Sequence, residues 1–408
     1  MADLTRPVNH IRPAKGWLND PNGVCRVDGR WHVFFQHQPA GPRHHAIGWG
    51  HVSSDDLFTW QEHPLALAPR PGSLDASGCW SGCCTIDDGV PTFCYTAVET
   101  TAQDAVGAIA TSVDGLMTWQ AATEPSAPRI GSPTDDTRDP FVWFLDGRRY
   151  ILQGHGGGES RAQVLVFDAT DLTDWKLLGP FATLDDPVAA EAADADIWEC
   201  PNLFHIDGSW VLLVSLWRRI DGEGVLSGVR WMVGDITVDG HPRFTARTAG
   251  VLDEGPAFYA PQGFDDDGLV LLWGWAWELG RSEQWLDDHG WAGVLTAPRE
   301  LHVRDDRLVV SLAPEVLAHA GEVLAPEWSA AGASSVVVTT TESGLLTCSE
   351  VDGGISSVEL AGPCTVLVDG SLVEVHGADN THTTRIYPTA ASWWTLSSGG
   401  DVEVRRLG

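Results

Sequence analysis

Apolar residues in this chain fall into short runs separated by turn formers, and the 3.6-residue spacing of an amphipathic helix is scarce. Five runs stand out: WHVFFQH (31–37), TFCYTAV (92–98), YILQG (150–154), WVLLVSLW (210–217) and LVLLWGWAW (269–277). Their β-branched and aromatic content predicts strands. Each follows an Asp-Gly pair, at Asp28-Gly29, Asp88-Gly89, Asp146-Gly147, Asp207-Gly208 and Asp267-Gly268. Asp-Gly between apolar runs predicts a tight hairpin, because such a turn needs positive φ. The five glycines are spaced by 60, 58, 61 and 60 residues. A second beat keeps phase with the first: SSDDLFTW ends at Trp60, SVDGLMTW at Trp119 and ATDLTDW at Trp175. Five such units, each with room for several strands, predict an all-β chain that opens with a five-bladed β-propeller over residues 8–300. An irregular β-sandwich is the alternative.

After Leu301 the beat stops. Strand-like runs such as SSVVVTTT (334–341), CTVLVDG (364–370) and SLVEVHG (371–377) then predict a C-terminal β-sandwich. The expected division is a catalytic propeller over 1–305, a linker over 306–322 and a sandwich over 323–408.

Composition narrows the function. The 408 residues carry 25 basic and 56 acidic side chains, a formal charge of −31. A surface that acidic argues against nucleic acid or an anionic membrane as partner. No apolar run approaches the ~20 residues of a membrane-spanning helix. Met1 to Arg12 has no signal-peptide core, so a cytoplasmic location is expected, with an exported parent trimmed of its leader as the alternative. The eight cysteines form no C-x-x-C pair and have no zinc-ligand spacing, which predicts free thiols, no structural metal and no cofactor. Trp is over-used, with 20 copies against 4 Tyr, and indole faces stack on sugar rings as well as filling cores.

The chemistry emerges when the repeats are aligned on their Asp-Gly glycines. Asp20, Glu199 and Tyr259 lie nine residues before Gly29, Gly208 and Gly268; Ser81 and Asp139 lie eight before Gly89 and Gly147. Equivalent positions of successive blades gather about one axis, so three carboxylates would meet at one mouth of the central channel. Each taken alone reads as a turn former or a solvated strand end. Together they suit glycoside hydrolysis, where one carboxylate attacks or stabilises and another, its pKa raised, gives a proton to the leaving group.

Those residues also carry a resemblance. W-L-N-D-P-N-G (17–23), W-G-H-x-S-x-D-L-x-x-W (49–60), R-D-P (138–140), E-C-P (199–201), F-Y-A-P-Q (258–262) and W-A-G-V-L-T-A-P-R-E-L (291–301) resemble, in order, glycoside hydrolase family 32, the invertase, inulinase and levanase family. V-E-V-H-G-A-D-N-T-H-T-T-R-I-Y-P (373–388) extends the match into the second domain. The resemblance implies a propeller followed by a sandwich. It implies Asp20 as nucleophile, Glu199 as acid/base and Asp139 as transition-state stabiliser, with Arg138 beside it. Asn19, Gln36, Trp49, Trp80, Ser81, Arg138, Tyr259 and Trp275 would meet a small neutral fructoside. Trp80 departs from the family pattern, in which F-S-G-S is usual where W-S-G-C (80–83) stands here.

The expected activity is a retaining β-fructofuranosidase acting on sucrose or short fructo-oligosaccharides. The alternatives are a fructosyltransferase, an exo-acting inulinase or levanase, a sucrose-6-phosphate hydrolase, an inverting arabinan-type propeller enzyme and a sugar-binding propeller without catalysis. In R-H-H (43–45) and Arg218-Arg219 a phosphate contact is weighed against solvated loops and a loop ion pair, and the loop reading is preferred.

Overall fold

The computed structural model describes residues 3–351 and 353–408; Met1 and Ala2 of the expected first domain and Asp352 of the second lie outside the described residues. All five Asp-Gly pairs turn with both residues at positive φ, 47–52° at the aspartates and 76–95° at the glycines. Each turn joins the first two strands of an antiparallel sheet. These pairs are Gly16–Val27 with Arg30–Gln38, Gly78–Asp87 with Val90–Val98, Asp136–Leu145 with Arg148–Gly156, Ile197–Ile206 with Ser209–Ile220, and Phe258–Asp266 with Leu269–Ala276. Two further strands complete each blade, the first and fifth blades gain a two-residue strand each, and the third and fourth are joined in one eight-stranded sheet. The five first strands lie against one another in order, and Phe258–Asp266 returns against Gly16–Val27, so the sheets close into a ring. Trp291-Ala292, paired in parallel with Gly16 and Trp17, seals the join between the fifth blade and the first.

The second sequence beat is the loop between third and fourth strands of the first three blades. Asp56, Asp114 and Asp171 accept backbone N–H groups a few residues downstream, so a side chain replaces the strand ladder at each bend. Two of the tryptophans that end these loops pack inward: Trp175 is fully buried and Trp119 stacks on Phe93 at 3.3 Å.

The expected boundary needs correction. Arg307–Leu312, placed in the linker by the sequence reading, pairs with Arg299–Arg304 as the last strand of the fifth blade. Its turn uses Asp305-Asp306, both at positive φ, in place of Asp-Gly, which hid it from the repeat signal. Ala320–Leu324 already pairs with Val402–Leu407 of the second domain. The link between domains is therefore only residues 313–319.

The second domain stacks a six-stranded sheet on a four-stranded one. Val336, Val338, Val366 and Val373 of the first meet Leu346, Val358 and Trp394 of the second in a core of their own. A buried polar network joins the domains. Arg299 of the propeller, fully buried, reaches Asp253 at 2.8 Å and Glu374 of the sandwich at 2.7 Å. His10 lies between Asp369 at 2.7 Å and Glu374 at 2.9 Å. Removing one member would leave a charge uncompensated in the interior, so this network specifies how the two domains dock.

Candidate active site

The innermost strand of every blade is broken at the same depth. Pairing to the second strand skips at Leu18/Pro21, Trp80/Gly82, Arg138/Phe141, Glu199/Asn202 and Tyr259/Gln262. A bulge bends a strand and re-aims its side chains. Pro140, Pro201 and Pro261 fall within three of the five breaks, where a ladder N–H is not needed, and Pro21 closes a fourth. The residues before three of them, Asp139, Cys200 and Ala260, take φ of 61°, 47° and 45°, a conformation uncommon outside glycine. The result is that Asp20, Trp80, Arg138, Glu199 and Tyr259, one from each blade, face a single cavity of about 530 Å³. That volume lies within the usual range for small-molecule sites.

Asp20 is held by its neighbours. Its Oδ2 accepts from Ser81 Oγ at 2.6 Å and from Gln36 Nε2 at 3.0 Å, and its Oδ1 accepts from Asn19 Nδ2 at 3.0 Å. Asn19 is oriented in turn by Trp17, whose indole N–H donates to Asn19 Oδ1 at 2.7 Å. Asp139 accepts the Cys200 N–H at 3.0 Å and gives its own N–H to Thr96 Oγ1 at 2.8 Å. The Cys200 thiol stands between two of the acids, 3.8 Å from Asp20 Oδ2 and 3.5 Å from Asp139 Oδ2. Burial and the nearby carboxylates push that thiol well above its ordinary pKa, so it remains a neutral donor.

Glu199 is gripped at both oxygens. Arg138 reaches Oε1 at 3.1 Å, and the Tyr259 hydroxyl donates to Oε2 at 2.6 Å. Arg138 also pairs with Asp136 at 3.0 Å and lies 5.9 Å from the Trp80 ring centre. Burial raises the Glu199 carboxyl above its ordinary value, with Arg138 and the Tyr259 hydroxyl pulling the other way and the Asp20 charge adding to the rise. Burial lifts Asp139 further, to about 7, with Arg138 opposing and Glu199 contributing. The arginine is driven above its own ordinary value by Glu199, Asp139 and Asp136, against the effect of burial.

Of the residues singled out from sequence, Asp20, Asp139, Glu199, Asn19, Gln36, Trp80, Arg138, Tyr259 and Trp275 line this cavity. Two do not. Trp49 is fully buried behind it, packed on Phe93 at 4.5 Å, with its N–H given to the Trp80 carbonyl at 3.2 Å. Ser81 is the buried residue skipped within the bulge, and it spends its hydroxyl on Asp20. Both therefore act from behind residues that face the cavity.

Among the further lining residues, the sequence reading does not single out Trp17, Gln103, Asp136 and Trp217, and it weighs His44 and Arg219 but reads them as loop residues. Trp17 was within reach, since strand alternation places it on the face of Asn19. Trp217 and Arg219 share one face of the long hairpin Ser209–Ile220/Glu223–Asp239; Trp217 ends the repeated apolar run 210–217 and Arg219 lies beyond it. The ion-pair reading of Arg219 is corrected: its guanidinium lies 5.4 Å from the Trp217 ring centre, and among the described residues no carboxylate pairs with it. His44, read as part of a solvated loop, meets Trp17 and Trp80 edge-on at the cavity rim, both at 6.1 Å. Among the described residues no three His, Cys, Asp or Glu side chains are arranged to hold a metal ion, and no helix is long and apolar enough to cross a membrane.

A propeller with clustered acids and an arginine at one channel mouth, walled by indoles and amides, has the equipment of a glycoside hydrolase. Comparison with known proteins makes that class specific. Residues 10–312 match the N-terminal domain of glycosyl hydrolases family 32. The chain is 35% identical over 347 residues to a sucrose-6-phosphate hydrolase of Klebsiella pneumoniae, covering 79% of this chain and 70% of that protein. It is 34% identical over 324 residues to a raffinose invertase of Escherichia coli, covering 74% of this chain and 63% of that protein. Its fold is that of a Bombyx mori family 32 β-fructofuranosidase, with a TM-score of 0.82 at 23% identity over all of this chain and 95% of the other. The fructan 1-exohydrolase IIa of Cichorium intybus gives 0.79 at 19% identity over 100% and 98%. The chain belongs to glycoside hydrolase family 32 and is a hydrolase.

Proposed function

We propose that this protein releases terminal β-D-fructofuranosyl units from sucrose or short fructo-oligosaccharides with retention of configuration. The observation that carries the reading is the division of labour within one cavity: Asp20 held by three hydrogen bonds, Glu199 buried and raised in pKa, and Arg138 between Glu199 and Asp136. In the first step the Asp20 carboxylate bonds to the anomeric carbon of the fructosyl unit as its bond to the leaving oxygen breaks. Glu199 gives that oxygen its proton. In the second step Glu199, now a carboxylate, takes a proton from water, whose oxygen displaces Asp20 and regenerates both acids. Asp139 and Arg138 would hold the fructose hydroxyls and stabilise the positive charge that develops on the ring. Asn19, Gln36, Tyr259 and Trp275 complete the sugar wall.

A second reading, sucrose 6-phosphate as the substrate, is favoured by Arg219. It is the cation at the leaving-group rim without a carboxylate partner among the described residues, and guanidinium matches phosphate geometry. An intracellular place of action belongs to the same reading. Its support is the set of eight free cysteines, among them Cys83 and Cys94 facing each other across paired strands as thiols.

The test is a time course of products from sucrose, sucrose 6-phosphate, inulin and levan. Equal glucose and fructose from sucrose support hydrolysis, and relative rates name the preferred substrate. Glucose in excess of fructose, with new oligosaccharides, overturns hydrolysis in favour of transfer. First-released fructose of inverted configuration overturns the covalent route.

A further inference from the structure

The sandwich domain reaches the sugar wall by a route that the proposed chemistry does not use. Arg385, closing the strand Thr381–Arg385, has a fully buried side chain, and its Nη2 lies 2.7 Å from Glu278 Oε1. The same guanidinium donates to Ser371 Oγ at 2.9 Å and to the Ala276 carbonyl at 3.5 Å. Glu278 spends its other oxygen on the Gly293 N–H at 2.7 Å. Burial pushes the Glu278 carboxyl up and the Arg385 charge opposes it.

Gly293 sits at the seam of the ring. On one side Trp291-Ala292 pairs with Gly16-Trp17 of the first blade; on the other Val294-Leu295 pairs with Trp275-Ala276 of the fifth. Its φ is +83°, and a Cβ there would fall 1.8 Å from the Leu18 carbonyl oxygen and 3.0 Å from Trp275 Nε1. The residue therefore touches both the backbone just ahead of Asn19-Asp20 and the indole of Trp275. A second contact acts on the same segment: the Leu279 N–H donates to the Tyr387 hydroxyl at 2.9 Å.

We propose that Arg385 is a positioning residue for the fructose-binding wall: through Glu278 and Gly293, the second domain sets the spacing between Asn19 on the first blade and Trp275 on the fifth. Besides the two-residue pairings, the propeller's own bonds near this seam run from Gly16 N–H to Gly290 O at 2.8 Å, from Leu295 N–H to Ile11 O at 2.9 Å and from Val24 N–H to Gln262 at 3.1 Å. None of them holds Gly293 itself, whereas the buried ion pair does, and it is directional and strong in a low-dielectric interior. A misplacement near 1 Å between groups that grip one sugar ring is enough to cost about 100-fold in rate. The effect falls on the fructose side of the cavity. The leaving-group side, with Trp217 and Arg219, belongs to the fourth blade and lies outside this chain of contacts.

The inference rests on the fructoside reading, and the experiment separates the two. The full chain and its Arg385→Gln, Arg385→Lys, Glu278→Gln and Tyr387→Phe variants are assayed on sucrose, with fructose as product inhibitor. Wild-type turnover of sucrose tests the reading; the ratio of variant to wild type tests the inference. Arg385→Gln and Glu278→Gln are expected to raise both KM and the fructose inhibition constant about tenfold, with the pH profile of kcat unchanged. Arg385→Lys is expected to restore most of the loss, and Tyr387→Phe to raise KM a few-fold. A merely structural role would lower Tm and the active fraction while leaving KM and the inhibition constant at wild-type values. Folded variants with both constants within twofold of wild type overturn the proposal. Should Arg385→Gln fail to fold, Glu278→Gln is judged by the same criterion, and Tyr387→Phe, the mildest change, after it.

Discussion

Tyr259 donates its hydroxyl hydrogen to Glu199 Oε2 at 2.6 Å, on the side of the carboxyl opposite to Arg138, which reaches Oε1 at 3.1 Å. The two clamps come from the fifth and third blades and hold a carboxyl supplied by the fourth. In the proposed mechanism Glu199 gives up a proton and later recovers one, and the two clamps hold it in one orientation for both steps. Burial keeps the Tyr259 phenol far above its ordinary pKa, so it stays a donor throughout.

Glu199→Gln keeps the shape of that carboxyl and removes its proton. Turnover of sucrose is expected to fall about 10³-fold, within the usual range for general acid catalysis. Release of an activated aryl leaving group, which needs little protonation, should fall far less in a single-turnover burst. Equal losses on the two substrates would remove Glu199 from the acid role.

Asp20→Ala removes the proposed nucleophile and leaves no carboxylate at its position. We expect kcat to drop by about 10⁴-fold or more, the scale seen when a covalent nucleophile is lost. The circular dichroism spectrum should be unchanged. Activity near the wild-type value would show that another group attacks.

Asp139 predicts a stability effect with a definite sign. Its carboxyl titrates at about 7 in the folded chain against 3.8 in the unfolded one, so the folded state holds the proton more tightly between those values. The stability this contributes is complete below pH 3.8 and is lost as pH rises through about 7. Asp139→Asn carries no titrating proton there. The variant should melt with the wild type at pH 4 and above it at pH 8, while losing activity at both. A Tm difference independent of pH would contradict the raised carboxyl.

The domain junction titrates elsewhere. Burial alone would lower His10, but its hydrogen bonds to Asp369 and Glu374 raise it to about 9 from 6.5. Its contribution is therefore full below pH 6.5 and disappears as pH rises through about 9. His10→Gln should cost about 3 kcal/mol at pH 6, as expected when a buried charge pair is broken. The deficit should shrink above pH 9, as read by denaturant melts at each pH.

Arg219→Ala separates the two substrate readings. If the guanidinium meets a phosphate, KM for sucrose 6-phosphate should rise about tenfold or more while KM for sucrose changes little. Equal changes for both sugars would leave Arg219 only its contact with the Trp217 ring.

The propeller was legible from the residues alone, because the turn chemistry that makes each blade is local. Asp28-Gly29 and its four counterparts need positive φ wherever they fall, and their even beat gave blade count and phase. Repeat phase alone brings Asp20, Asp139 and Glu199 together, and the ordered motifs identify the family. Where a local signal changed its residues, as at the Asp305-Asp306 turn, the boundary was missed. Which neighbours of those acids face the cavity was settled by long-range packing. The bulge at each innermost strand turns Trp80 and Arg138 into the cavity and leaves Ser81 beneath it and Trp49 behind, a choice made by pairing register across strands. The entry of Trp217, Arg219 and His44 into the cavity lining and the reach of Arg385 from the second domain are likewise contacts between segments far apart in the chain. No period or motif records them, because they come into being when the ring closes and the second domain docks on it.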